Sequence, residues 1–272
     1  MGKRMEHKMS GLAKVNNVDR IVRLWTNILV GFAQLYSVFF PFRFKQRSPD
    51  YFRETLNCFL SAYYTNPLIS VPLSEILKYR ESTWHSNSAI LMRSCIYMLK
   101  MDAYTRRSSR EQGAGVLRPI DEIVGDIMQR RRRGDVLRAS DWIAYLGRWL
   151  GHETALQHFQ DFMGGKIIEM DDMESSFGDK DGPVLFEQPV IHMGFDIRSF
   201  QSGIIEGLEQ GSRAERAGLK NGDIILSVDQ PGTCELYPNK SLRMRIGRGG
   251  EAFDIDYSPR ADKKVRVWQI KR

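Results

Sequence analysis

Apolar positions recur three and four residues apart over 51–63, 88–104 and 121–131, and no strand-like alternation of any length interrupts residues 15–170. That period predicts three helices, each with one apolar face. The third carries its own punctuation. Pro119 suits a first helical turn, Asp121 and Glu122 face the positive end of the helix dipole, Arg130 to Arg133 face the negative end, and Gly134 stops it. A further helix is predicted from Ser140, with Ser140 as its cap and Trp142, Ile143, Tyr145, Leu146 and Trp149 on its apolar side. The next covers 153–162 and closes on Gly164 and Gly165. From Pro189 the period changes to short β-branched runs at 203–206, 223–228, 242–246, 253–257 and 265–270, separated by Gly and Pro turns. Between two of these runs Ser212 caps a single helical turn, Gly218 supplies a left-handed residue, and Asn221-Gly222 makes a tight turn into a strand.

The pattern therefore predicts an α+β chain. Residues 171–185 hold five acids, one lysine, two glycines and a proline, which is linker chemistry. The expected organisation is a helical domain over 1–170, an acidic linker over 171–185 and a small β-rich domain over 186–272. A length of 272 residues with 42% hydrophobic and 27% charged positions has room for it. The formal charge of +7 divides unevenly, +9 on residues 1–170, −4 on the linker and +2 on the remainder, so any basic surface belongs to the helical domain. An excess this small does not imply a nucleic-acid partner. Arg130 to Arg133 reads either as a basic recognition patch or as a solvated helix end, and the helix punctuation accounts for it without a ligand. From Leu24 to Phe42 there are 19 residues without a charge, close to the ~20 that span a bilayer. Thr26, Asn27, Gln34 and Ser37 dilute this stretch and Pro41 ends it, so a buried helix is expected and membrane contact is the less favoured reading.

Cys58, Cys95 and Cys234 are too dispersed for a disulfide framework or a Cys-x-x-Cys metal site, which points to a reducing, cytoplasmic setting. The basic, polar N-terminus is not shaped like a secretory signal. Gly247-Arg248-Gly249-Gly250 reads as a hairpin turn rather than a phosphate loop, and no cofactor is expected.

From Gly211 to Val228 the chain follows Gly-Ser-x-Ala-x-x-Ala-Gly-Leu-x-x-Gly-Asp-x-Ile-x-x-Val, and this segment resembles the signature of PDZ domains. The resemblance implies a carboxylate-binding loop at His192-Met193-Gly194-Phe195, with Met193, Gly194 and Phe195 offering backbone N–H groups to a peptide C-terminus. Residues 230–240 stand where such domains carry a second groove helix. Pro231, Gly232 and Pro238 predict no useful helix there, hence a missing groove wall.

The helical part is similar to the second half of the catalytic domain of the glycyl aminopeptidase family, zinc peptidases in which a PDZ domain follows. Leu24-Trp25 followed by Val30-Gly31-Phe32 resembles the family's stretch around its third zinc ligand, with Val30 where the glutamate belongs. His-Glu-x-x-His is absent; His152-Glu153-Thr154-Ala155-Leu156 has leucine in the second histidine's place. Where the family has its oxyanion-stabilising tyrosine, this chain has Trp84 or His85. The resemblance thus implies a peptidase-like protein without a metal site.

Two functional classes follow. One is a non-proteolytic interaction or accessory protein, with a protein partner or self-association through the apolar helix of residues 24–40. The other is a metal-free cyclase, isomerase or hydrolase acting on a small-molecule substrate, with His85 as its acid or base. Against the catalytic role, His85 also reads as a cap for a helix beginning near Asn87. Cys58 and Cys95 lie in apolar helical patterns where inert thiols are usual, and Trp142 and Trp149 read as core.

Overall fold

A computed structural model describes residues 29–79, 84–171, 173 and 182–271. Helix α1 covers 29–43, followed by α2 (Pro49–Thr65), a short α3 (Leu73–Ile76), α4 (Trp84–Glu111), α5 (Pro119–Arg132), α6 (Ala139–Leu150) and α7 (His152–Gly164). The β part comprises β1 (Val184–Ile191), one-turn helices α8 (Ser199–Ser202) and α9 (Arg213–Arg216), β2 (Ile224–Val228), α10 (Pro231–Leu236), β3 (Leu242–Arg248), β4 (Glu251–Tyr257) and β5 (Arg260–Gln269). The class is α+β.

Local chemistry sets the helix ends. The Ser48 hydroxyl accepts the Tyr51 N–H at 3.2 Å, with Pro49 in the first turn of α2. Helix α5 has Pro119, its acids and its arginines where the sequence places them, and Gly134 takes φ +86°. Helix α7 ends in left-handed Gly165. Ser140 is not the cap of α6. The helix starts one residue earlier, at Ala139, and the Asp141 carboxylate reaches back to accept the Arg138 N–H at 2.6 Å. An acid three residues into a helix satisfies the same orphan donors as a cap.

The helices share one core. Trp142 is fully buried, sets its ring edge-on to Phe32 at 5.4 Å, and donates its indole N–H to the Tyr97 hydroxyl at 3.1 Å. Gly31 brings α1 against α4: a Cβ there would lie 2.7 Å from the Ser94 carbonyl oxygen. Phe32, Leu35, Val38 and Phe39 of α1 are buried in this core, whereas Ala33, Ser37 and Phe40 face outward. Residues 24–28 of the uncharged stretch lie outside the described residues. Among the described residues no helix is long and apolar enough to cross a membrane.

Two antiparallel sheets make up the β part, a ribbon of β1 with β5 and a three-stranded sheet ordered β2-β3-β4. The turn at Gly249-Gly250, both at positive φ, joins β3 to β4 as the sequence predicts. Strand β1 falls partly in the segment read as linker and contains Pro189. It is tolerated because β1 pairs only with β5. Residues 203–206 do not form the expected strand; a left-handed Gly203 turns the chain and only an Ile204–Ile224 bridge remains. The ribbon lies on α2, with Val267 and Ile270 in the helical core. Asn57 of α2 behaves as a strand neighbour, donating to the Ile270 carbonyl at 3.0 Å and accepting the Ile270 N–H at 2.8 Å. A second, smaller core is formed by Ile191, Met193, Phe195, Leu242, Met244, Ile255 and Tyr257.

No helix of useful length is expected in 230–240, and the structure places a six-residue one there. Pro231 sits in the first turn of α10, where its missing N–H and fixed φ cost nothing, and Pro238 falls beyond the end. This six-residue helix puts Cys234 into the β core and packs Leu236 against the helical core.

Candidate functional site

Where α2, α4, α10, β1 and β5 meet, buried polar side chains converge. His85 is inside α4 rather than capping it, and is 9% exposed. Its Nδ1 lies 2.5 Å from Oε1 of Glu235 on α10, a carboxylate 1% exposed. The His85 backbone carbonyl accepts from Asn66 Nδ2 at 3.3 Å. Beside this pair stands Arg260, 2% exposed. Its Nη1 donates to the Thr65 hydroxyl at 3.1 Å and the Pro189 carbonyl at 3.3 Å, and its Nη2 to the Cys234 carbonyl. Burial weakens the Arg260 guanidinium's hold on its proton, while Cys234 and Glu235 nearby strengthen it. A carboxylate fixing an imidazole can orient it for acid–base work. Here the two residues also join the helical part to the β part. Sequence reasoning singled out His85 alone; Glu235 is 150 positions away, and no local pattern connects them.

The loop at 192–195 is built differently. Gly194 has φ +80°, and a Cβ on it would lie 2.8 Å from Cβ of Ser212. Only glycine fits there. The Met193 carbonyl accepts the Tyr257 hydroxyl at 2.8 Å and the Gly194 carbonyl accepts the Glu209 N–H at 2.8 Å. Met193 and Phe195 bury their side chains in the β core, at 3% and 5% exposure, so any binding by this loop belongs to its backbone. The N–H groups of Met193, Gly194 and Phe195 have no acceptor among the described residues. Unpaired N–H groups at such low exposure are uncommon. His192 and Glu209 pair beside it at 3.0 Å. The turns that present the loop are those of the sequence pattern: Ser212 Oγ accepts the Glu215 N–H at 3.1 Å, and Gly218 and Gly222 take positive φ.

The remaining candidates are unremarkable. Cys58 is half-buried, and burial with Glu54 nearby raises its thiol pKa; burial pushes Cys95 up to about 12 and also raises Cys234. None is poised as a thiolate. His152 is exposed at the start of α7, and Val30 is half-buried on α1. Among the described residues no group of three His, Cys, Asp or Glu could hold a metal ion. Arg130 is engaged with Asp135, Asp141 and the Tyr145 hydroxyl, while Arg131 to Arg133 are exposed.

No protein-family model matches the chain. No curated protein matches it by sequence. Among solved structures it is similar to an aminopeptidase N family protein from Idiomarina loihiensis, at 11% identity and a TM-score of 0.53, over 88% of this chain and 46% of that one. The fold of this chain is therefore similar to that of part of that structure. The chain spans about half the length of that structure.

Proposed function

We propose that this is a non-proteolytic protein of peptidase-like fold that acts through interaction, with its PDZ-like β part taking the C-terminus of a partner peptide. The observation that carries this reading is the run of three unpaired N–H groups at Met193, Gly194 and Phe195. They stand at the positions where the resemblance to PDZ domains implies a carboxylate-binding loop, and backbone donors suit a terminal carboxylate without selecting a side chain. The pairing of His85 with Glu235 favours a second reading, a metal-free acid–base enzyme acting on a small molecule, since Glu235 would orient the imidazole.

One experiment compares peptides ending in a free carboxylate with their C-terminal amides by calorimetry, alongside hydrolysis of glycyl and alanyl amides with zinc supplied. Binding of the free acids alone, with no turnover, is expected. Equal affinity for acid and amide would overturn the loop's role, and chelator-sensitive turnover would overturn the non-proteolytic reading.

A further inference from the structure

We propose that the cleft between α2, β1, the segment after α10 and β5 is a binding site for a small organic acid, separate from the 193–195 loop and independent of its function. The cleft has a volume of about 630 Å³, within the roughly 300–1,000 Å³ of small-molecule pockets. Its lining includes two guanidiniums, Arg260 at its buried wall and Arg213, against a single carboxylate, the exposed Glu187.

Arg260 is the centre of the argument. It forms no ion pair among the described residues; its three acceptors are a hydroxyl and two carbonyls, and its Nε–H has no acceptor. Glu235 is near enough to steady this charge but forms no ion pair with it, so a ligand carboxylate beside the guanidinium recovers more of the cost of taking the cation out of water. Arg93, buried at 0%, shows the contrasting case. It too has a bare Nε–H, but its Nη atoms clamp the carbonyls of Leu68, Ile69 and Val71 and fasten that loop onto α4. Arg260 lines a cleft large enough for a ligand. Arg213 is the second cation, tied to Asp262 at 3.2 Å, and Asp262 is 77% exposed, so the exchange for another carboxylate costs little.

A second open group narrows the ligand. Gln188 lines the same cleft, and its Oε1 is buried with no donor. A ligand that presents an O–H or N–H together with its carboxylate satisfies both this oxygen and the guanidinium. The geometry points to a hydroxy or amino acid with an apolar portion against Leu236 and Pro238.

The test uses the full chain and N-ethylmaleimide, read by intact mass. Cys58 lines the cleft and is half-buried, whereas Cys95 and Cys234 are buried, so the first adduct reports Cys58. The probes are phenyllactate, its methyl ester and inorganic phosphate in the millimolar range. Phenyllactate is expected to slow labelling about tenfold when present at about ten times its dissociation constant, and the ester is expected to leave the rate unchanged. Arg260→Lys keeps the charge but loses the fork, and the protecting concentration should rise about tenfold. If that variant fails to fold, Arg213→Ala and Gln188→Leu carry the same comparison at less buried positions. Absence of protection, equal protection by the ester, protection by phosphate alone, or unchanged protection in Arg213→Ala and Gln188→Leu would overturn the assignment.

Discussion

Asp102 in the helical part and Glu235 at the border with the β part are both buried carboxylates, at 0% and 1% exposure, and they are compensated in different ways. Asp102 lies between two guanidiniums, Arg106 at 3.1 Å and Arg118 at 2.9 Å, and Arg118 also stacks over Phe39 at 4.5 Å. All of these belong to the helical part. Glu235 meets an imidazole from the other part, and its neighbour Arg260 spends its bonds on neutral oxygens. The helical part is thus redundant, and the border depends on a few groups that have no substitute.

The largest expected effect lies in the helical core. Trp142→Ala should cost about 4 kcal/mol in urea unfolding, and a loss under about 1 kcal/mol would show that this core is not the continuous body described. Glu235→Ala should cost about 3 kcal/mol and separate the melting of the β part from that of the helices, whereas Arg106→Met, which leaves Asp102 its second arginine, should cost about 1 kcal/mol. Equal losses from the two would break the comparison. Gly194→Ala should cost about 2 kcal/mol through its left-handed backbone and the Ser212 contact, and should abolish carboxylate binding by the loop in calorimetry.

A smaller effect depends on pH. Asp223 is 1% exposed, and although burial alone would raise its carboxyl pKa, hydrogen bonds from Arg248 and the Lys220 N–H hold it below the usual carboxylate value. Its contribution to stability is complete above the unfolded value of about 4 and fades as pH falls through the lowered folded value. Acid titration of the melting temperature should show this loss in the wild type, and Asp223→Asn should flatten it. Smallest of all, Phe44→Ser at a side chain 70% exposed should change stability by no more than about 0.5 kcal/mol. A larger change would mean that Phe44 is covered in solution.

Most of this architecture was legible where the information is local. Helical periods, the Pro119 and Gly134 punctuation, the Ser212 cap and the Gly249-Gly250 turn each declare themselves within a few residues. Strand β1 was not legible, because Pro189 and the acidic neighbourhood argue against a strand and only the edge position of the ribbon permits one. Helix α10 is hard to read because proline breaks a helix interior but is at home in a first turn, and the element is only six residues long. The candidate site divides the same way. The loop at Met193, Gly194 and Phe195 is a candidate only through the resemblance carried by the contiguous 211–228 pattern, while the partnership of His85 with Glu235 and the seat of Arg260 arise from tertiary contacts that no spacing encodes.

Helix α10 carries a mechanical consequence. Three successive residues face three environments: Cys234 the β core, Glu235 the imidazole of α4, and Leu236 the helical core and the wall of the cleft. One and a half turns of helix move as a rigid rod, so displacing any of these residues displaces the others. A substitution at any one of the three is therefore expected to disturb the other two environments.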